Sequence, residues 1–400
     1  MPDQTPQTDF SAADAALGYL YQVRLALLSA LERVSRDETF AVYLETLDDV
    51  VFEPDGSPAE LLQLKHHRGR VANLTDASPD LWKSLRVWME GRTAQRIPED
   101  ARLYLVTTGP VGPSSAAALL GEDGRDEAAA LQRLEATAAT SVNETNQPAY
   151  ERFRALSSDQ RRALGGSVTV LPGSPDITAA DDRLRQHARL MVRRNHVQSL
   201  LSRLEGWWYR RAVAQLADTA KAPILSVELE AQLDDLREQF RRDALPVDED
   251  ILAIEVTMEG FGEHVFVRQA ELAGIRGRRI LAAVRDYYRA FTQRSRWLRE
   301  DLLHVGELDG YERRLREEWE IQFERQVDRL GEAAGEDAKT ACAQAIYAWV
   351  EDSLYPIRER VDHPSMTRGS FHMLADELRV GWHPEFLARL RHLLEPEAAQ

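Results

Sequence analysis

Apolar positions at Ala16, Leu20, Val23, Leu27, Leu31 and Val34 recur at three- and four-residue spacing, so the pattern predicts an amphipathic helix over Ala12–Val34. Two short apolar pieces follow, Phe40–Leu44 and Val50–Phe52, separated by the polar stretch "ETLDD". "EPDGSP" then reads as a hairpin turn, and Leu61–Lys65 as the returning strand. Ser78 stands where an N-cap is expected, with Pro79 at the first helical position and Leu81, Leu85 and Trp88 on one face. "ARLYLVTTGPVG" is a fourth strand ended by Gly and Pro. Helix, two or three strands, helix, strand: the first hundred or so residues predict an α/β core, a small mixed sheet flanked by helices.

Beyond Pro110 the composition turns to Ala, Glu and Arg, predicting helices to about Ala163. "GGSVTVLPGSPD" supplies one more strand, and 181–220 one long helix or two, anchored by Trp207, Trp208 and Tyr209. From Val247 the pattern is almost purely helical, with amphipathic segments around 267–304, 308–331 and 334–354. "RRDALPVDEDI", 241–251, reads as the linker. The expected division is therefore a domain over 1–245 and a mostly α-helical domain over 246–400.

Four hundred residues suit two or three domains, and 44% hydrophobic with 29% charged residues is a globular composition. No apolar run is long enough to span a bilayer. "MPDQTPQTDF" has neither the basic start nor the apolar segment of a signal peptide, which predicts a cytoplasmic protein. The lone Cys342 has no disulfide partner and no metal-ligand companions. A net charge of -16 excludes a protein that coats nucleic acid electrostatically, while leaving room for a local basic groove.

The candidate chemistry lies in "LETLDDVVFEPDGSPAELLQLKHH", 44–67. Asp49 opens one strand and Lys65 closes its neighbour, and strands about 4.8 Å apart bring such ends together. Period two puts Gln63 and Lys65 on one face and the Leu64 side chain on the other. A carboxylate, a carboxamide and an ammonium at one sheet edge suit metal-dependent phosphodiester hydrolysis. Mg²⁺ (or Mn²⁺) would be held by Asp49, by Gln63 and by the Leu64 backbone carbonyl. Lys65 would position the attacking water, and Glu45 is a candidate second acid. The plainer reading is a salt bridge between Asp49 and Lys65, which contributes little when exposed. His66 and His67 face opposite ways on a strand and have no third ligand, so they suit solvent or DNA-backbone contacts better than zinc. Trp82 and Trp88 read as core residues.

Asp49 with Gln63 and Lys65 across a hairpin resembles the PD-(D/E)xK nuclease signature in its QxK variant. "GYLYQVRLALL", "ETLDDVVFE", "LLQLKHH" and "LTDASPDLWKSLRVW" together resemble the double-stranded DNA endonuclease domain of CD-NTase-associated anti-phage effectors. The same module heads effector subunits of Lamassu-like and ABC-three component systems. The likeness covers roughly the first two hundred residues. It implies a restriction-endonuclease-like core with Asp49, Gln63 and Lys65 as catalytic and metal positions, Gln22 beside them, and Thr75 and Trp82 as braces. "AVRDYYRAFTQRSRWLREDLL", "YERRLREEWEIQF" and "VGWHPEF" resemble the C-terminal domain of ABC-three component effectors. That likeness implies docking to an SMC-like ABC ATPase and a small middle component, with Trp297, Trp319, Trp382 and His383 as structural anchors; activation would come by partner release or by homo-oligomerisation. The alternatives are a non-catalytic DNA-binding or adaptor subunit, and an RNA-directed nuclease on the same core.

Overall fold

The structure, a computed structural model, describes residues 12–55, 58–65, 73–217, 222–331 and 334–394. Two compact units divide the chain: Met1–Met191 with Leu201–Asp234, and Val192–Leu200 with Asp235–Gln400.

In the first unit the elements run α1 (Ala12–Val34), β1 (Phe40–Leu44), β2 (Val50–Pro54), β3 (Glu60–Lys65), α2 (Pro79–Thr93), β4 (Arg102–Thr107), α3 (Ala116–Leu119), α4 (Glu127–Thr140), α5 (Gln147–Ala155), α6 (Ser158–Ser167), β5 (Val168–Leu171), α7 (Ile177–Arg189), most of α8 (Val197–Ala217), β6 (Ile224–Leu225) and most of α9 (Ser226–Gln239); the start of α8 and the end of α9 belong to the second unit. The strands form one mixed sheet in the order β5-β4-β3-β2-β1-β6. β1, β2 and β3 are an antiparallel meander, with Val42 opposite Phe52 and Val51 opposite Leu61. The Gly56–Ser57 pair of the expected turn lies outside the described residues. β3, β4 and β5 are parallel. Parallel neighbours need a crossover, and α2 supplies it between β3 and β4.

Val51, Leu61, Leu103, Leu105, Val168 and Val170 line one face of the sheet and pack with Trp82, Leu85 and Trp88 of α2 and Tyr150 and Phe153 of α5. Both tryptophans are fully buried, and Trp82 meets Tyr150 and Phe153 edge-on. Ser78 does occupy the N-cap of α2 with Pro79 first in the helix, but its side chain makes no capping hydrogen bond.

β6 was not expected. It pairs only with Ala41 and Val42, too short a strand to show any period. The rest of that edge of β1 is closed by a side chain: Gln215 Oε1 accepts from the Leu44 N–H at 2.9 Å, and its Nε2 donates to the Val42 carbonyl at 3.0 Å. A buried amide thus completes a ladder whose backbone groups would otherwise lack partners. The segment 181–220 is two helices, α7 and α8.

The second unit is mostly helical: α10 (Glu249–Leu252), α11 (Val265–Leu272), α12 (Arg278–Arg299), α13 (Glu307–Val327), α14 (Glu336–Asp352), α15 (Pro364–Asp376) and α16 (Phe386–Leu390). The helix expected over 267–304 is two, because Gly274 and Gly277 both adopt left-handed φ, 73° and 59°, and break it. Trp297, Trp319, Trp382 and His383 are all buried. Trp297 Nε1 donates to the Pro246 carbonyl at 2.7 Å, and Trp319 Nε1 to that of Gly381 at 2.8 Å.

His372 is enclosed by the rings of Phe266, Tyr347 and Trp382, and its Nδ1 has no partner among the described residues. Burial pushes its pKa from 6.5 down to about 4. Between those values the unfolded chain binds more protons, so this contribution is present above pH 6.5 and is lost as pH falls toward 4. We expect the unfolding free energy of the wild type relative to His372→Leu to drop as pH falls over that window, by up to about 1.4 kcal/mol per pH unit. His372→Leu should flatten the curve, and equal slopes in the two proteins would contradict the assignment.

Candidate functional site

Leu44 pairs with Val50, so residues 45–49 form the β1–β2 connection. Glu45 takes a left-handed φ of 50°, and its N–H donates to the Asp49 carbonyl at 3.1 Å, closing the turn. Asp49, directly before β2, lies in phase with Val51; Gln63 and Lys65 lie in phase with Leu61. All three therefore belong to the sheet face that α2 covers, at the end where the apolar residues stop.

The β2–β3 ladder ends at the pair of Val50 with Leu62, which leaves the Leu64 N–H beyond it. Asp49 takes its place as acceptor. Its Oδ2 accepts from Leu64 N–H at 2.7 Å and from Gln63 Nε2 at 2.5 Å. One carboxylate is thus fixed by two donors from β3. The Leu64 carbonyl lies on the same edge of the strand as its own N–H, and so on the Asp49 side.

The neighbouring acid has a different place. Asp48 is buried; its Oδ2 accepts from Trp88 Nε1 at 2.6 Å and its Oδ1 from the Asp49 N–H at 3.1 Å. Burial pushes the Asp48 carboxyl up to about 7, and the Asp49 charge adds to the rise, while the Trp88 hydrogen bond and the Lys65 charge oppose it. Asp48 is a brace between α2 and the turn, and Asp49 is the acid presented to the cleft. A folded pKa above the ordinary 3.8 means that Asp48 contributes most stability below that value and loses it as pH rises through about 7. Asp48→Asn cannot titrate. In EDTA, the stability of wild type relative to Asp48→Asn should fall between pH 4.5 and 7.5, by on the order of 2 kcal/mol. A constant difference across that range would show that Asp48 keeps one charge state.

Lys65 is half-buried. Burial pulls its ammonium pKa down, Lys83 acts in the same direction, and Asp49, Asp80 and Asp48 resist. Around it is an open cleft of about 460 Å³ walled by Gln22 of α1, Glu45, Asp48, Asp49, Gln63 and Lys83 of α2. The fold thus brings together Gln22, Glu45, Asp49, Gln63, Leu64 and Lys65. Thr75 and Trp82 are not in this wall; Trp82 braces the start of α2 through its Nε1, 2.6 Å from the Asp76 carbonyl. His66 and His67 lie outside the described residues. Sequence reasoning missed Lys83, whose charge looks like ordinary helix solvation, and the burial of Asp48.

Among the described residues no three His, Cys, Asp or Glu side chains gather into a metal cage. Mg²⁺ does not require one, since it binds through one or two carboxylates and keeps most of its waters. The donors here are hard oxygens: the Asp49 carboxylate, the Leu64 carbonyl and, at the rim, Glu45. They fit Mg²⁺ or Mn²⁺. Gln63 turns its amide nitrogen to Asp49, so in this arrangement it orients the carboxylate, and its Oε1 would be the atom left for a water carried by such an ion.

Comparison with known proteins places the helical unit first. Residues 266–390 match the family model described as C-terminal domain 7 of the ABC-three component systems. The match supports membership of this chain in an ABC-three component system, which is consistent with anti-phage defence. Among solved structures, the chain resembles the Acinetobacter baumannii Cap4 SAVED/CARF-domain containing receptor, with 14% identity over 56% of this chain and 48% of that one and a TM-score of 0.33. It thus spans about half the length of that receptor. The same receptor with the cyclic trinucleotide 2'3'3'-cAAA aligns with 13% identity over 69% and 66% of the two chains and a TM-score of 0.34. Curated protein sequences give no match. No helix among the described residues is long and apolar enough to cross a membrane.

Proposed function

We propose that this chain is the effector of an ABC-three component anti-phage complex and that its first unit is a metal-dependent double-stranded DNA endonuclease. The observation that carries the reading is the Asp49 carboxylate, pinned by Gln63 and Leu64 at the end of β3, beside a half-buried lysine in an open cleft. Asp49 and the Leu64 carbonyl would hold Mg²⁺ or Mn²⁺, with Glu45 able to reach in from the rim. The ion, when bound, supplies charge neutralisation on the phosphate and lowers the pKa of a water. Gln63 keeps Asp49 aimed. Lys65, with its pKa drawn down, orients the attacking water and stabilises negative charge as it develops. Gln22 walls the same space and is an accessory contact.

The helical unit would dock the SMC-like ABC ATPase and the small middle component, with homo-oligomerisation accompanying activation. A net charge of -16 fits such an effector: weak intrinsic affinity for DNA keeps it harmless until partners bring it to its target.

Supercoiled plasmid is the test substrate, with Mg²⁺ or Mn²⁺, beside EDTA and Lys65→Ala controls and with the ATPase and middle component added in a second series. Cleavage lost in both controls supports the reading. Cleavage that survives Lys65→Ala misplaces the centre. Silence in every arm leaves the non-catalytic adaptor, and preference for an RNA competitor moves the substrate class.

A further inference from the structure

A second, smaller cleft adjoins the first. It measures about 220 Å³ and is walled by Gly18, Tyr21 and Gln22 of α1, Lys65, and Asp80 and Lys83 of α2. Gln22, Leu64, Lys65 and Lys83 belong to both clefts. Their charge balances differ. The larger sets Glu45 and Asp49, with the buried Asp48 behind them, against two lysines; the smaller holds the same two lysines against Asp80 alone. A cation suits the first and an anion the second.

Gly18 gives an independent pointer. It lies inside α1, where glycine destabilises a helix relative to alanine. Interior glycines commonly make room for a neighbouring element, yet a Cβ at Gly18 would meet nothing within 4 Å. Among the described residues no protein atom explains the missing side chain. What it leaves is bare backbone on the wall of a lysine-bearing cleft, a surface that another chain can approach closely.

We propose that this smaller cleft seats the sugar–phosphate backbone of the DNA strand flanking the reacting phosphate, with Lys83 contacting a phosphate and Gly18 providing clearance. The proposal rests on the nuclease reading above and adds where the strand runs. Lys65, common to both clefts, faces the reacting phosphate, and Lys83 the next one along. Asp80 lies within electrostatic reach of Lys65, so the cleft keeps only a small positive excess and grips weakly.

Binding separates this from catalysis. A fluorescent DNA duplex is titrated with full-length protein, Ca²⁺ replacing Mg²⁺, over a salt series. Lys83→Ala should weaken binding roughly tenfold and reduce the salt slope by about one, the signature of one lost phosphate contact. Gly18→Leu should weaken binding at least as much, because its side chain fills the groove, while leaving the slope nearly unchanged. Gly18→Ala serves as the folding control, with a melting temperature equal to or above that of wild type. Wild-type affinity in both Lys83→Ala and Gly18→Leu would overturn the cleft and leave the nuclease reading standing. A wild type that neither binds nor cuts duplex DNA, even with the ATPase and middle component present, would overturn both.

Discussion

On the nuclease reading proposed above, Lys65→Ala should lower plasmid cleavage about 10²- to 10⁴-fold at saturating Mg²⁺ and DNA, a range set by the loss of one preorganised electrostatic group together with its hold on the attacking water. The argument rests on where the ammonium sits. It is half-buried at the end of β3, where charge interactions are stronger than in bulk water, and its pKa is already lowered by burial. The turn beside it does not depend on it. Asp49 is held by the Gln63 amide and the Leu64 N–H, and Asp48 by Trp88, so alanine at 65 leaves both acids in place. The melting temperature should therefore change little while the single-turnover rate collapses. Lys65→Arg keeps the charge on a bulkier, planar head that does not shed its proton, and should recover only part of the rate. If Lys65 and Asp49 were merely a surface ion pair, Lys65→Ala would shift stability by less than about 1 kcal/mol and leave any cleavage untouched. Rate and melting temperature, measured on the same preparation, separate the two.

Much of this site was legible because it is local. β1 and β2 stand where their apolar runs predict, α1 has the expected bounds, and period two along "LLQLK" already puts Gln63 and Lys65 on one face. The antiparallel register then brings Asp49 to Gln63 with no long-range information needed. What depended on tertiary structure was not legible. Lys83 reads as a solvated residue on α2 until the fold carries that helix over the end of β3. The Asp48-Asp49 doublet leaves its two roles undivided until Trp88 comes within 2.6 Å of one of them. Gln215 resembles any polar helix residue, yet its amide finishes the edge of β1. In the helical unit the amphipathic period continues across "LAGIRGRR", and nothing in the period itself reports that Gly274 and Gly277 both take positive φ.

Gly369→Ala should damage the helical unit with a single methyl group. Gly369 lies inside α15 and faces α12 across a close helix–helix approach. A Cβ there would overlap the Asp286 backbone carbonyl oxygen and lie 2.5 Å from the Ala290 Cβ. Backbone cannot rotate away as a flexible side chain can, so the helices must separate. Separation strains the contacts they share: Arg368 Nε donates to Asp286 Oδ2 at 2.6 Å, and Arg294 Nη1 to Ser370 Oγ at 3.3 Å. Both Asp286 and Arg294 are buried, so weakened partners are costly to replace. Alanine's better helix propensity offsets only about 1 kcal/mol, against an overpacking cost of about 1–3 kcal/mol or more. The net loss, up to about 2 kcal/mol, corresponds to a melting temperature lower by up to roughly 4–8 °C for a unit of this size. Gly369→Leu should prevent the unit from folding, and Ala290→Gly should partly rescue Gly369→Ala by returning the room that the methyl takes. This packing lies within the residues that match the ABC-three component domain, so under the docking proposed above partner binding should fall with stability in this variant. An unchanged melting temperature in Gly369→Ala would mean that α12 and α15 do not approach as closely as described.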